Sequence, residues 1–246
     1  MAGSDTKKDQ TPVLATTGKQ ERQHSHRLTV VEKPTNGTLE ISTEDNIRLN
    51  DFLPPDKFFS FSDDEAFYYN LSGIEVPKGL ESMGLIGKIF LAHELGHLKN
   101  PKFALINNAI ALNNTKLLSA SSPTEVLFGQ IDQLNLTMEL EVSAWNDGQP
   151  IADAISVPSE KYELAKHIAL ATHYYGCLTT LAQAIGNADI ASAYSHDRVF
   201  SIYDPSMGTL RPITFAELKQ DYSDAEQLRI TYEKSVLALK DFQTTL

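Results

Sequence analysis

Residues 91–98 read LAHELGHL and place two histidines, His93 and His97, four positions apart. On an α-helix, side chains four positions apart lie one turn apart on the same face. Two imidazoles in this arrangement can bind one zinc ion, with Zn–N distances of about 2.0–2.1 Å. Glu94 follows the first histidine, on the helix edge that flanks the metal. There its carboxylate can accept a proton from water and pass it to a leaving amine.

The neighbouring sequence predicts that this segment is a helix. Ser82 is the expected N-cap, and Asn100-Pro101 is expected to end the helix just beyond the second histidine. The apolar residues that precede the histidines at helical spacing are Ile86, Ile89 and Phe90. The alternative is a buried helix whose histidines pair with backbone or carboxylate groups, but such polar groups are costly to bury without partners. H-E-x-x-H on a helix is typical of zinc peptidase sites, so the zinc interpretation is favoured.

Length and composition suggest one large domain with a tail. The chain has 246 residues, of which 41% are hydrophobic, which is enough to form a substantial core. Residues 1–26 are polar and are expected to be a disordered tail. We expect residues 27–246 to form a single domain with three parts: a β-rich part at 27–81, zinc-site helices at 82–148 and a helical part at 149–246.

The overall charge excludes some classes of partner. The formal net charge is −11, and no cluster of Lys and Arg suited to nucleic acid is present. We therefore expect no binding to nucleic acid.

The apolar segments also bear on location. No apolar run approaches membrane-spanning length, and residues 1–23 lack the apolar segment of a secretion signal. We therefore expect a cytoplasmic protein that does not bind membranes. The one cysteine, Cys177, cannot form an intrachain disulfide.

Short alternating segments before Ser82 predict a small antiparallel sheet. The predicted strands are 27–31, 38–42, 57–61, 66–71 and 73–77. Residues 62–65 read SDDE, which predicts a hairpin between the third and fourth of these strands. The sheet would precede the zinc-binding helix in the chain.

A second helix is predicted to supply the third metal ligand. Ser122 to Glu125 form a capping box with Pro123 at the first helical position, and Asn146 to Gly148 are expected to end the helix. Its apolar face follows steps of four and three residues through Leu127, Ile131, Leu134, Met138 and Trp145.

Glu141 occupies the missing step of that apolar face. A carboxylate there needs a partner, which a zinc ion would supply. Glu139 lies about 200° further around the helix, on the polar face with Asp132 and Asn135, so the two glutamates cannot bind one metal. The alternative for Glu141 is an ion pair with a Lys or Arg, or a place at the edge of the stripe.

These two segments together resemble the gluzincin metallopeptidases. The resemblance rests on residues 93–97, HELGH, followed by a second helix with Glu141-x-x-Ala144, and it covers roughly residues 57–148. The members most similar in size are the small intracellular minigluzincins and the peptidases that cleave regulatory proteins. In the family, Asp or Asn often follows that alanine and supports the first zinc histidine. Here this position is Trp145, which leaves the partner of His93 open.

The resemblance implies a zinc-dependent peptidase acting on a protein or peptide. Its one Zn²⁺ per chain would be bound by His93, His97 and Glu141, and Glu94 would be the catalytic base. Peptidases of this kind usually take a further oxyanion donor from a Tyr or His later in the chain. His173, Tyr174 and His196 are the candidates, although each also fits a packing or surface role.

The last third of the chain is predicted to be mainly helical. One helix covers about 158–186, and its expected core positions are Leu164, Ile168, Ala171, Tyr175, Leu178 and Ile185. Capping boxes at 214–217 and 223–226 start two more helices. Residues 194–212 between them are expected to be rich in loops. The fold class is therefore α+β.

Two other functions agree with the same residues. A catalytically inactive domain of this type would serve as a protein-binding module. A host-directed effector protease would share the zinc chemistry and differ in its biological target.

Overall fold

A computed structural model of the chain describes residues 27–34, 37–62, 67–70, 72–187 and 199–245. The tail predicted for residues 1–26 lies outside the described residues, as do His196 and most of the loop predicted at 62–65. The described elements confirm the α+β class, with a small sheet early in the chain and mostly helices after it. No helix in these ranges combines the length and apolar character needed to cross a membrane.

The strands of the early sheet are β1 (Leu28–Glu32), β2 (Leu39–Thr43), β3 (Phe58–Phe61), β4 (Tyr68–Asn70) and β5 (Gly73–Val76). The helices are α1 (Gly84–Lys99), α2 (Phe103–Ser119), α3 (Pro123–Ala154), α4 (Ser159–Asn187), α5 (Phe215–Tyr222) and α6 (Ala225–Thr245). A separate hairpin, β6 (Val199–Asp204) and β7 (Thr209–Thr214), stands between α4 and α5.

The strand order of the sheet is β1-β2-β3-β5-β4, so the hairpin predicted between β3 and β4 is wrong. β5 lies between them, parallel to β3 and antiparallel to β4. Gly73 permits this arrangement, because a Cβ there would lie 1.9 Å from the carbonyl oxygen of Phe58. The remaining pairs of neighbouring strands are antiparallel, and β4 is the last strand in the order.

The buried face of the sheet packs with α1, the end of α3 and the start of α4 in one core. Strand alternation explains which side chains enter it: Leu39 and Ile41 of β2 are buried, whereas Glu40 between them is partly exposed. A second core lies between the first half of α3, the second half of α4, the β6–β7 hairpin and α5. Together the two cores fix α3 along its whole length.

Helix α1 begins later than predicted. Ser82 is not its N-cap but belongs to a 3-10 turn, Leu80–Ser82, where its hydroxyl donates to the carbonyl oxygen of Gly79 at 2.7 Å. The helix starts at Gly84, whose φ of +56° is in the left-handed region that favours glycine. The predicted end is confirmed, since the last helical residue, Lys99, precedes Asn100-Pro101.

Helix α3 begins as predicted and ends later. The Ser122 side chain accepts a hydrogen bond from the backbone N–H of Glu125, with Pro123 in the first turn. The predicted end at 146–148 is wrong, because the helix continues to Ala154. Gly148 serves a close helix crossing instead: a Cβ there would lie 2.5 Å from the carbonyl oxygen of Ala92.

The C-terminal helices are confirmed with corrected details. The buried positions in the first half of α4 are Tyr162, Ala165 and Ala169, whereas Leu164 is largely exposed, so the predicted core stripe is shifted there. The Thr214 capping box is confirmed, but α6 is capped by Asp224, which accepts from the N–H of Gln227, rather than by Ser223. The loop-rich segment predicted at 194–212 contains the β6–β7 hairpin from Val199 onwards.

Candidate metal centre

Helices α1 and α3 bring His93, His97 and Glu141 together at a buried crossing. The potential ligand atoms of these side chains all lie within 4.8 Å of one another. The Nε2 atom of His93 lies 3.3 Å from Glu141 Oε2, and the Nε2 atom of His97 lies 3.7 Å from Glu141 Oε1. All three predicted ligands therefore direct a donor atom towards one point.

A glycine explains how the two helices approach closely enough. A Cβ on Gly96 would lie 2.0 Å from the carbonyl oxygen of Ala144, so a side chain there would force the helices apart. Gly96 lies between the two histidines of α1, and Ala144 lies one turn after Glu141 in α3. Gly96 therefore permits the close contact between α1 and α3 at the metal centre.

The polar atoms at this point fit a metal ion better than they fit one another. Although Glu141 Oε2 is buried close to His93 Nε2, it makes no hydrogen bond within the described chain. Such an atom is costly to bury without a partner. Two imidazole nitrogens and one carboxylate, with a fourth position left for water, form a donor set that suits a transition-metal ion.

The electrostatics favour the protonation states that metal ligands need at His97 and Glu141, and they favour a proton on His93, with which a metal ion would compete. Burial, together with the neighbouring His93, lowers the pKa of His97 to about 3, so its imidazole is neutral. Burial alone would raise the pKa of Glu141, but its contact with His93 and the nearby histidines lower that pKa to about 2. Burial also opposes protonation of His93, whose pKa is nevertheless raised by Glu141 and Glu94.

Glu94 is buried beside the ligands without being one of them. Its Oε1 lies 3.9 Å from His93 Nε2, and its Oε2 makes no hydrogen bond with any described residue. Burial is the largest cause that raises the pKa of Glu94 to about 7, assisted by the Glu141 carboxylate and opposed by His93. A carboxyl group with such a pKa can both accept and release a proton near neutral pH.

The phase predicted for α3 is confirmed by both glutamates. Glu141 is 7% exposed, and the apolar residues of its stripe are equally or more deeply buried. Glu139 points away and is half exposed, with its Oε1 at 3.4 Å from Lys102 Nζ. Asn135, predicted on the same polar face as Glu139, donates a hydrogen bond to the carbonyl oxygen of Ser201 and accepts one from the N–H of Tyr203, both in β6.

Trp145 takes the position where the resemblance would place an Asp or Asn. Its ring stacks on the His93 imidazole, with centroids 4.3 Å apart and planes 24° apart. The side chain is fully buried. The residue that contacts the first histidine at this position is thus an aromatic ring instead of a hydrogen-bond acceptor.

The structure separates the candidate oxyanion donors. His173 lies at the centre, with Nε2 at 3.6 Å from Glu141 Oε2 and a half-exposed side chain. Tyr174 lies in the second core, where its hydroxyl is 3.4 Å from that of Tyr222, so it is not part of the site. His196 is outside the described residues.

Tyr69 of β4 belongs to the site and is absent from the sequence prediction. Its ring centroid lies 4.2 Å from that of His97 and 5.0 Å from that of Phe103. Burial, followed by the charges of Glu141 and Glu94, raises the pKa of Tyr69, so the hydroxyl remains protonated. Strand alternation indicates that Tyr69 and Tyr68 face opposite ways, but only the sheet order places Tyr69 beside the histidines.

Comparisons with known proteins add no assignment to this geometry. No family model matches the chain, and neither curated proteins nor solved structures give a match. The chain is therefore characterised by its α+β fold and by a buried His93, His97 and Glu141 cluster compatible with a metal ion.

Proposed function

We propose that this protein is a zinc-dependent peptidase of the gluzincin type, acting on a protein or peptide substrate. The observation that supports this most strongly is the convergence of Glu141 on the two histidines of the H-E-x-x-H helix. Two histidines and one glutamate are a ligand set of catalytic zinc sites, in which water takes the remaining position. Glu94, adjacent to this set but not part of it, is placed to act on that water.

The ligands and the base have separate roles. His93, His97 and Glu141 would hold the ion, and all three side chains are buried. A bound zinc ion would supply Lewis acidity, which polarises a peptide carbonyl and makes water acidic enough to lose a proton near neutral pH. Glu94 would accept that proton as the water oxygen bonds to the carbonyl carbon, and would deliver it to the amine that leaves when the C–N bond breaks.

Two further side chains can donate a hydrogen bond to the negative charge that develops on the carbonyl oxygen. The Tyr69 hydroxyl is protonated, and its ring lies against His97. The His173 imidazole lies at Glu141 and is half exposed, so it can reach a bound substrate. Donors of this kind stabilise the transition state more than the ground state.

Peptide cleavage by the zinc-loaded protein tests this proposal. The protein, prepared with zinc, is incubated with a mixture of unstructured peptides, and the products are read by mass spectrometry. New peptide ends with the parent, and none with Glu94→Gln or after addition of a chelator, are expected. A parent protein that binds zinc but cleaves no peptide or unfolded protein would overturn the peptidase proposal and favour a metal-bound protein-binding module.

A further inference from the structure

The support of His93 at its second ring nitrogen is unusual for a metal ligand. Histidines that bind metals normally donate their other N–H to a carboxylate, a carbonyl or water, which fixes the orientation of the ring. The Nδ1 atom of His93 is buried and makes no hydrogen bond within the described residues. Among the described residues, the contact that can orient this imidazole is therefore one with its ring face.

The ring of Trp145 is the one that lies flat on His93. The planes differ by 24° and the centroids are 4.3 Å apart, which is a stacking geometry. The indole is held in turn by Tyr162, whose ring meets it edge-on at 5.1 Å and whose hydroxyl donates to the Trp145 carbonyl oxygen at 3.0 Å. Phe90 of α1 lies near its other side, with centroids 6.4 Å apart.

The face of the indole, and not its N–H group, makes this contact. Trp145 Nε1 is buried and has no hydrogen-bond partner in the described chain. A buried N–H without a partner destabilises a core. If Trp145 only filled space, a phenylalanine, which has no N–H group, would therefore pack there as well. The position of Trp145 also matters: it lies one helical turn after Glu141, so one helix carries both the third ligand and the ring that contacts the first ligand.

We propose that Trp145 is a positioning residue that holds the His93 imidazole in its metal-binding orientation by stacking, in place of a hydrogen-bond acceptor. The affinity for metal then depends on the flat ring at position 145. This inference rests on the metal site of the proposed function but not on peptide cleavage. It applies even to a protein that binds zinc and cleaves nothing.

Zinc affinity, measured by competition with a chromophoric chelator, tests the inference with two variants. Trp145→Leu removes the ring, and we expect a loss of about 10–100-fold, the range for supporting partners of metal ligands. Trp145→Phe keeps a flat ring and should recover most of that affinity. A Trp145→Leu protein that binds zinc within twofold of the parent would contradict the proposal, as would Trp145→Phe binding as weakly as Trp145→Leu.

Phe59→Leu is the matched control for a general loss of core packing. Phe59 is fully buried in the same core but belongs to β3. It should lower the thermal stability while leaving zinc affinity unchanged. An equal loss of zinc affinity in Phe59→Leu would overturn the proposal, because the effect would then be that of any core defect.

The fluorescence of the parent protein gives a second measurement, which does not require the Trp145→Leu protein to fold. Trp145 is the only tryptophan of the chain. Zinc binding to an imidazole stacked on the indole should change the tryptophan emission in step with metal occupancy, with an end point at one equivalent. Unchanged emission while the chelator assay shows one zinc bound would contradict the proposal. Failure to bind zinc at all would instead remove the metal site itself.

Discussion

Glu141 Oε2 lies 3.3 Å from His93 Nε2 without forming a hydrogen bond. The two residues come from different helices, and each is buried where these helices cross. A carboxylate and an imidazole that direct donor atoms to one point, without bonding each other, are arranged as ligands of a common ion.

Glu141→Gln should weaken zinc binding strongly, because it replaces a charged ligand oxygen with a neutral amide. The expected loss exceeds the roughly 10–100-fold that removal of a supporting partner costs. Glu139→Gln is the matched control on the same helix, and its affinity should stay within about twofold of the parent, since its exposed pair with Lys102 contributes little. Competition with a chelator measures the zinc affinity of both variants. A larger loss in Glu139→Gln than in Glu141→Gln would show that the assigned phase of α3 is wrong.

Glu94→Gln should retain zinc and fold but lose cleavage. The substitution removes the proton acceptor and leaves the three ligands in place, so the rate should fall by about 10²–10⁴-fold. Zinc content and circular dichroism should match those of the parent. Cleavage at the parental rate would show that Glu94 is not the base.

Tyr69→Phe should lower kcat while leaving KM and zinc content nearly unchanged. Removing one hydrogen-bond donor to a developing oxyanion costs about 10²–10³-fold in kcat. Tyr68→Phe is the control on the same strand, because Tyr68 faces the opposite way and is 45% exposed. Equal effects of the two substitutions would indicate a role of β4 as a whole rather than of the Tyr69 hydroxyl.

Gly96→Ala should destabilise the protein and disturb the metal site, because the new methyl group meets the Ala144 carbonyl. Overpacking of this kind typically costs about 1–3 kcal/mol. At Gly186, near the end of α4, no described atom outside the neighbouring helix backbone lies within 4 Å of an added Cβ, so Gly186→Ala should be neutral or slightly stabilising. Urea denaturation compares the two, and equal stabilities would contradict the close crossing of α1 and α3.

The sequence was sufficient to predict that His93, His97 and Glu141 form one buried cluster, because the position of each follows from helix phase. His93 and His97 are one turn apart, and Glu141 falls on the apolar stripe of α3 by steps of four and three. This stripe is buried in the structure, with Glu141 among its members. Local periodicity thus predicts which residues lie on the same face of a helix. The faces predicted for α1 and α3 were sufficient to predict that the three residues lie together.

Features that depend on contacts between distant segments were not predictable in this way. Gly148 resembles a helix end locally, but it permits the crossing of α3 with Ala92 of α1. The neighbours of β3 depend on the position of β5 in the sheet. Because β5 lies between β3 and β4, the same strand order also places Tyr69 of β4 beside the histidines. A local signal did exist for the β6–β7 hairpin, since buried Phe200 and Ile202 alternate with exposed residues before a turn at Gly208, whose φ is +66°.

Metal analysis of the purified protein tests the central claim most directly. After expression with zinc and removal of loosely bound ions, the parent should contain about one zinc ion per chain, since its three ligands form one mononuclear site. His97→Ala should contain almost none and should be less stable, because metal binding is linked to folding. A parent protein with no tightly bound transition metal, or a His97→Ala protein that retains a full equivalent, would contradict the assignment of His93, His97 and Glu141 as the metal site.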